Sequence, residues 1–128
     1  EVKFDSGVSR AYQIQGIIAD GGGGNFLRFD SYSNGWGVMI FSAAFTNGYP
    51  VVKANRQISG GAPLYIKVRR VGDQWTQYYS YDGITWTTNV SFTHAINVKE
   101  AGIFAGNAGS YAPAYTALVD YFLNIVSQ

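Results

Sequence analysis

A chain of 128 residues, 47% hydrophobic and 16% aromatic, is long enough for one domain with a sizeable core and too short to expect two. Nine Lys and Arg against eight Asp and Glu leave a formal charge of +1, without the cation clusters that neutralise nucleic-acid phosphates or an anionic membrane surface. The lack of cysteine excludes disulfides, thiolate metal sites and a cysteine nucleophile together; no apolar run approaches the roughly 20 residues of a membrane-spanning helix, and no signal-peptide pattern opens the chain.

In chain order the sequence predicts strands almost throughout and no helix. They fall at residues 1–5, 11–19, 25–32, 36–45, 51–58, 64–71, 75–81, 86–94, 101–105 and 115–125. The punctuation between them is turn chemistry: Gly21 to Gly24, Asn34-Gly35, Asn47-Gly48, Ser59-Gly60-Gly61, Gly72-Asp73, Asp82-Gly83 and Asn107-Ala108-Gly109. Short strands at this spacing without helices imply an antiparallel sandwich or barrel. No repeat or linker-like shift in composition interrupts residues 1–128, which read as a single domain.

The hairpin formed by the second and third strands carries the first chemical signal. Setting Gly16 opposite Phe29 places Ile14, Gly16, Ile18, Leu27 and Phe29 on one face and Gln13, Gln15, Arg28 and Asp30 on the other. The opposite register mixes polar with apolar on both faces. Two amides, a guanidinium and a carboxylate are planar donors and acceptors that suit sugar hydroxyls, although a solvated outer surface has the same composition. The fourth strand is apolar on both sides through Val38, Met39, Ile40, Phe41 and Phe45, which predicts a central strand covered on both faces.

Residues 64–92 read as three strands with both turns written out. Arg70 lies opposite Trp75, Val68 opposite Gln77, Ile66 opposite Tyr79 and Tyr81 opposite Trp86. A core face then collects Ile66, Val68, Trp75, Tyr79, Tyr81, Trp86 and Phe92, and a wet face collects Tyr65, Lys67, Arg69, Thr76, Tyr78 and Ser91. With Trp75 and Trp86 inside, Trp36, Tyr32, Tyr65, Tyr78 and Tyr111 remain as rings for stacking on sugars, Tyr111 in a Gly/Ala/Pro loop where binding loops sit.

Six runs in order, AYQIQGII at 11–18, NFLRFD at 25–30, LYIKVRR at 64–70, YSYDGITW at 79–86, AGIFAGN at 101–107 and VDYF at 119–122, resemble the concanavalin A-like lectin/glucanase superfamily, closest to DUF1349-type domains of extracellular bacterial carbohydrate-active proteins. The resemblance spans essentially the whole chain. It implies a two-sheet jelly roll, a secreted setting and glycan binding as an accessory module. Domains of this kind usually have further strands before the segment corresponding to Glu1, so the chain is expected to lack N-terminal strands and to self-associate through an exposed sheet edge, at Glu1 to Asp5 or Tyr115 to Ile125.

Glucanases on this fold carry Glu-x-Asp-x-x-Glu on one strand, and that motif is absent. Glycoside cleavage needs two flanking carboxylates, and no pair stands out: Asp73 and Asp82 sit in turns, and Asp30 has Gln15 and Arg28 as neighbours. The single His94 excludes a triad or a multi-histidine metal site. Jelly-roll modules often hold calcium with oxygen ligands from the last strand and the chain start, which makes Asp120 the candidate ligand; otherwise no cofactor is expected. The resulting expectation is a non-catalytic module for a neutral oligo- or polysaccharide, with Gln13, Gln15, Arg28, Asp30, Trp36, Tyr65, Tyr78 and Tyr111 as its contacts and with neither nucleic acid nor membrane as a partner. The rivals are an assembly domain that pairs through sheet edges and a hydrolase lacking the usual motif.

Overall fold

A computed structural model describes residues 1–124 and contains ten strands: β1 Val2–Phe4, β2 Gln13–Gly22, β3 Asn25–Ser33, β4 Val38–Thr46, β5 Tyr49–Ile58, β6 Tyr65–Val71, β7 Gln74–Ser80, β8 Thr87–Thr93, β9 Glu100–Asn107 and β10 Val119–Phe122. Each segment expected from the sequence holds one of them; the predicted end of the last, Ile125, lies outside the described residues. The strands form two five-stranded antiparallel sheets. Sheet A runs β10-β1-β6-β7-β8 and sheet B runs β5-β4-β3-β2-β9, an all-β two-sheet sandwich.

The layers meet over two apolar clusters. Ala19, Leu27, Phe29, Ala44 and Trp75 form one, and Val2, Phe4, Ile17 and Ile66 form the other, each joining residues of both sheets. Side chains alternate across a strand, so these inward positions fix what faces out. With Ile17 and Ala19 inward, Ile14, Gly16 and Ile18 face outward on β2. With Leu27 and Phe29 inward, Arg28, Asp30 and Tyr32 face outward on β3.

That arrangement corrects the expected β2–β3 register by one residue. Gly16 pairs with Asp30 and Ile17 with Phe29. The shift originates at the turn, where Gly22 pairs with Asn25 and a bulge between Asp20 and Gly22 absorbs a residue, Gly22 standing at φ 81°. The rejected register is therefore the real one. It is tolerated because the inward face carries polar side chains, Gln13, Gln15, Ser31 and Ser33, all buried.

The β6–β7 hairpin has the expected register, with Arg70 opposite Trp75, Val68 opposite Gln77 and Ile66 opposite Tyr79. Between β7 and β8 the pairing slips: Gln77 faces Val90, but Tyr78 faces Thr88 and Tyr79 faces Thr87. Asn89 is the extra residue of this bulge, and its amide donates to Gln77 Oε1 at 2.9 Å. Beyond the bulge the alternation inverts, so Trp86 stands on the outer face of sheet A instead of in the core. Its ring meets Tyr65 edge-on at 6.2 Å and carries Lys67 Nζ at 4.0 Å. Tyr81, also expected inside, lies past the end of β7, is exposed, and donates its hydroxyl to the Ser59 carbonyl.

Strand β1 is no edge. It lies between β10 and β6, although it pairs with β6 only at Tyr65 and Ile66. From Lys67 to Val71, β6 has β7 on one side and no strand on the other among the described residues. A cleft of about 1080 Å³ opens there, and the inter-sheet residues Ile17, Phe29, Val68 and Trp75 line part of it.

The corrected faces separate the two tryptophans energetically. Trp75 is 4% exposed and its indole N–H donates to the His94 carbonyl at 3.0 Å, so Trp75→Ala should cost about 3–5 kcal/mol. Trp86→Ala removes a half-buried outer-face ring and should cost about 1–2 kcal/mol. Urea denaturation of both variants checks this, and equal losses would contradict the bulge-inverted register.

Candidate functional site

The outer face of sheet B is unusual for a solvent-facing surface, because aromatic rings surround a buried ion pair on it. Register places Phe104, Gly16, Asp30, Phe41 and Asn55 in one row from β9 to β5. The adjacent row is Gly102, Ile18, Arg28 and Ala43, and on the other side come Ile14, Tyr32 and Met39. Strand β4 is paired on both sides as expected, but among the described residues no second layer covers its outer face: Met39, Phe41 and Phe45 are half-buried there.

Gly16 is the centre of the construction. A Cβ at this position would stand 2.2 Å from the Phe29 carbonyl oxygen and 2.5 Å from the Asp30 Cβ, so no side chain fits. Gly16 and Gly102 together leave a trough between Phe41 and Phe104. The guanidinium of Arg28 lies in it, 4.8 Å from the Phe41 centroid and 5.6 Å from that of Phe104, at cation–π distances. Arg28 Nε donates to Asp30 Oδ2 at 2.9 Å.

Asp30 is 0% exposed although it belongs to the outer face. Arg28 and the two rings cover it from above, and the sheet closes it from below. Burial pushes its carboxyl from the ordinary 3.8 up to about 6, the charge and hydrogen bond of Arg28 pulling part of the way back. Oδ1 has no hydrogen-bond partner, and Arg28 makes no hydrogen bond within the described residues beyond the one from Nε. The site thus holds an idle acceptor beneath idle donors.

One end of this face is rimmed by loops. Tyr12 lies 6.1 Å from Tyr32 by ring centroids, and Tyr32 meets Phe41 edge-on at 6.0 Å while its hydroxyl donates to Asn55 Oδ1 at 2.7 Å. The turn containing Trp36 approaches Ala11 through Gly35, and the loop containing Tyr111 approaches Tyr12 through Gly109. Trp36 is 93% exposed and Tyr111 is 97% exposed. From Arg28 to Asn34 the strand extends about 20 Å, enough for several sugar rings.

Of the expected contacts, Arg28 and Asp30 are hydrogen-bonded to each other on the outer face of sheet B, while Trp36 and Tyr111 lie exposed in connections between strands of that sheet and its neighbours. Gln13 and Gln15 do not join them; the one-residue register shift turns both into the sandwich, where they tie down loops. Gln13 Oε1 accepts from the Ser9 and Arg10 amides at 3.0 and 3.1 Å, and Gln15 Nε2 donates to the Ser6 carbonyl at 2.8 Å. Tyr65 and Tyr78 lie on the outer face of sheet A with Lys67 and Trp86, on the opposite side of the sandwich. Phe41, Phe104, Tyr12 and Asn55 belong to the site without having been singled out. The available signal was the excess apolarity of residues 38–45, a strand with one face too many for its sheet.

Asp120 on β10 accepts from Lys3 Nζ at 3.0 Å, and Asp5 stands 3.7 Å from the same nitrogen. An ammonium thus bridges the last strand and the chain start, where calcium ligands were expected, and no group of three His, Asp or Glu able to hold a metal occurs among the described residues. Asp20 and Glu100 are cross-strand neighbours at the far end of sheet B, but the Asp20 carboxylate accepts from the Gly22 amide at 2.8 Å as a turn former. Four residues of strand separate Asp20 from Gly16 and hence from Asp30, about 13 Å, beyond the roughly 5 to 9.5 Å between glycosidase carboxyls. No helix long and apolar enough to cross a membrane occurs among the described residues.

No family model and no curated protein matches the chain. Among solved structures it is similar to the GH43 protein BlXynB from Bacillus licheniformis, at 22% identity and a TM-score of 0.69 over 87% of this chain and 24% of that one. It is also similar to a single-site mutant of the same protein, at 21% identity and a TM-score of 0.71 over 92% of this chain and 24% of that one. The likeness concerns the fold, and the chain spans about a quarter of that protein's length.

The raised Asp30 pKa makes stability depend on pH in a defined direction. The folded chain keeps this proton up to about pH 6 whereas an unfolded aspartate releases it near 3.8. The stabilising contribution of protonation is therefore complete at low pH and lost as pH rises through about 6, a change of about 3 kcal/mol. Asp30→Asn should flatten this segment of the stability profile, as urea midpoints measured across the range will record.

Proposed function

We propose that this chain is a non-catalytic carbohydrate-binding domain that seats a neutral oligo- or polysaccharide on the outer face of sheet B. The observation that carries the reading is the Arg28 guanidinium set between Phe41 and Phe104 and hydrogen-bonded to the buried Asp30. A sugar ring presents C–H faces to aromatic rings and hydroxyls to planar donors and acceptors, and this surface offers both within one row of residues. The charge of +1 for the whole chain, and an ion pair that is neutral overall at its centre, suit an uncharged ligand. The match to a quarter of a GH43 protein supports a place as an accessory module of a larger, secreted carbohydrate-active protein.

Calorimetry against cellohexaose, xylohexaose and mixed-linkage glucan fragments tests the assignment, with galacturonate-rich pectin fragments as the acidic control. Binding should be micromolar to millimolar, about −4 to −8 kcal/mol. Phe41→Ala and Phe104→Ala should each weaken it roughly three- to tenfold, whereas Tyr78→Ala on the opposite sheet should leave it unchanged. Silence towards every neutral glycan with binding to heparin or DNA would overturn the reading, and release of reducing ends would favour the hydrolase alternative.

The open Lys67 to Val71 edge of β6 favours a second reading, assembly through sheet edges. Unpaired strand amides and carbonyls beside an apolar cleft are a template for another strand. Two-fold self-pairing would set Lys67 and Arg69 of one copy beside those of the other, which weakens this arrangement in low salt. Light scattering over a tenfold concentration range should show a mass that grows with concentration and salt; a constant 14.0 kDa would exclude assembly.

A further inference from the structure

The orphaned oxygen of Asp30 is the one polar group on the sheet B face that the fold leaves unexplained. Buried carboxylate oxygens are nearly always hydrogen-bonded, because leaving one without a partner forfeits its hydration with nothing in return. Inside the sandwich the Ser31 and Ser42 hydroxyls and Gln77 Nε2 are also unpaired, but these groups are uncharged. Oδ1 is different because it belongs to an ionisable group on an outward position of the sheet, under a cover of Arg28, Phe41 and Phe104 in which Arg28 is the one long polar side chain.

That cover is attached at one point. Arg28 holds Asp30 through Nε alone, its side chain is 25% exposed, and its remaining amino groups bond nothing within the described residues. A two-pronged pair would have used both carboxylate oxygens. Here the guanidinium lies between Phe41 and Phe104 and touches the carboxylate through Oδ2 alone, so turning it aside breaks one hydrogen bond and no strand pairing. The elements packed around Asp30 bring no other charge: β2 contributes Gly16, β4 Phe41 and β9 Phe104, while Tyr32 on β3 is engaged with Asn55. The next carboxylates, Asp20 and Glu100, lie one outward position along the sheet beyond the row of Arg28 and two beyond the row of Asp30.

Resting on the carbohydrate-binding reading, we propose that Asp30 Oδ1 accepts a hydrogen bond from one hydroxyl of a bound neutral sugar while Arg28 donates to the adjacent hydroxyl, so that the ligand is a glycan with a free vicinal diol and is held only while Asp30 is ionised. The diol completes both halves of the ion pair at once. A uronate in its place would compete with Asp30 for Arg28 and meet repulsion from Oδ1, so an acidic sugar is selected against. Linkage gives the sign: a hydroxyl that donates to the carboxylate lowers the Asp30 pKa, and affinity declines as pH falls through the value near 6. A uronate bound to Arg28 would produce the opposite slope.

The test titrates the full chain with xylohexaose and with cellohexaose at about pH 7.5 and about pH 5, with affinity expected to fall about tenfold at the lower pH. Carbon-detected NMR of the Asp30 carboxyl, with and without the hexaose, should show the pKa moving down on binding. Asp30→Asn, which keeps the shape but is never ionised, should show at both pH values only the weak affinity of the unaltered chain at about pH 5, with no pH dependence in this window, and circular dichroism checks that it is folded. Binding that is indifferent to pH, or stronger at low pH, or an Asp30 pKa that does not move, overturns the inference while leaving glycan binding intact. Absence of binding to either hexaose at both pH values removes the inference and the reading on which it rests together. Methylation of the vicinal hydroxyls should abolish binding; retention by the methylated sugar would overturn the diol.

Discussion

A carboxylate is buried on the outer face of this sheet because the residue beside it has no side chain. Gly16 is the constraint on which the site depends: its Cβ position is already filled by the Phe29 carbonyl and the body of Asp30. The gap lets Arg28 lie down, and the guanidinium in turn covers Asp30 and separates Phe41 from Phe104. Neutral packing on a solvent face would need none of this. Holding a carboxylate away from water against its own desolvation, with one oxygen idle, stores free energy that a correctly shaped partner can release.

The same constraint explains why the register matters more than the pattern. Alternation alone favours the pairing that segregates polar from apolar residues, which would place Gln13, Gln15, Arg28 and Asp30 together. The chain instead puts two glutamines inside and an ion pair outside. The glutamines are satisfied there, since the Ser6 to Arg10 segment folds over the sandwich and offers its hydroxyl, amides and carbonyl to them. Inward polar residues are affordable wherever a loop supplies partners, and the outward ion pair then stands among rings that a soluble surface would otherwise avoid.

Much of the architecture is legible in the sequence because turn chemistry is local. Gly72-Asp73 specifies the β6–β7 hairpin, Asn47-Gly48 the β4–β5 hairpin, and the alternation between them marks the strands. What is hidden is bulges. One at Asp20/Gly22 moves Gln13 and Gln15 indoors, and one at Gln77/Tyr78 moves Trp86 outdoors. Each is a single extra residue whose placement depends on which side chains find partners across the sheet, a non-local matter. Arg28 and Asp30 were identifiable by chemistry; Phe41 and Phe104 were not, because a phenylalanine in a strand reads as core until the layer above it is known to be missing.

The two outer faces of the sandwich differ in kind. On sheet A, Lys67 sits between Trp86 and Tyr78, with Tyr65 against the Trp86 edge. A cation already lies over the Trp86 ring, so that face of the indole is not free to stack on a sugar, and Thr76 and Ser91 are hydrogen-bonded to each other. On sheet B the cation lies between rings without covering their remaining surface, and donors and an acceptor remain unused beside it. Aromatic rings alone do not distinguish a binding face from a merely well-packed one. A buried ionisable oxygen left without a partner next to those rings does, and among the described residues Asp30 Oδ1 is that oxygen.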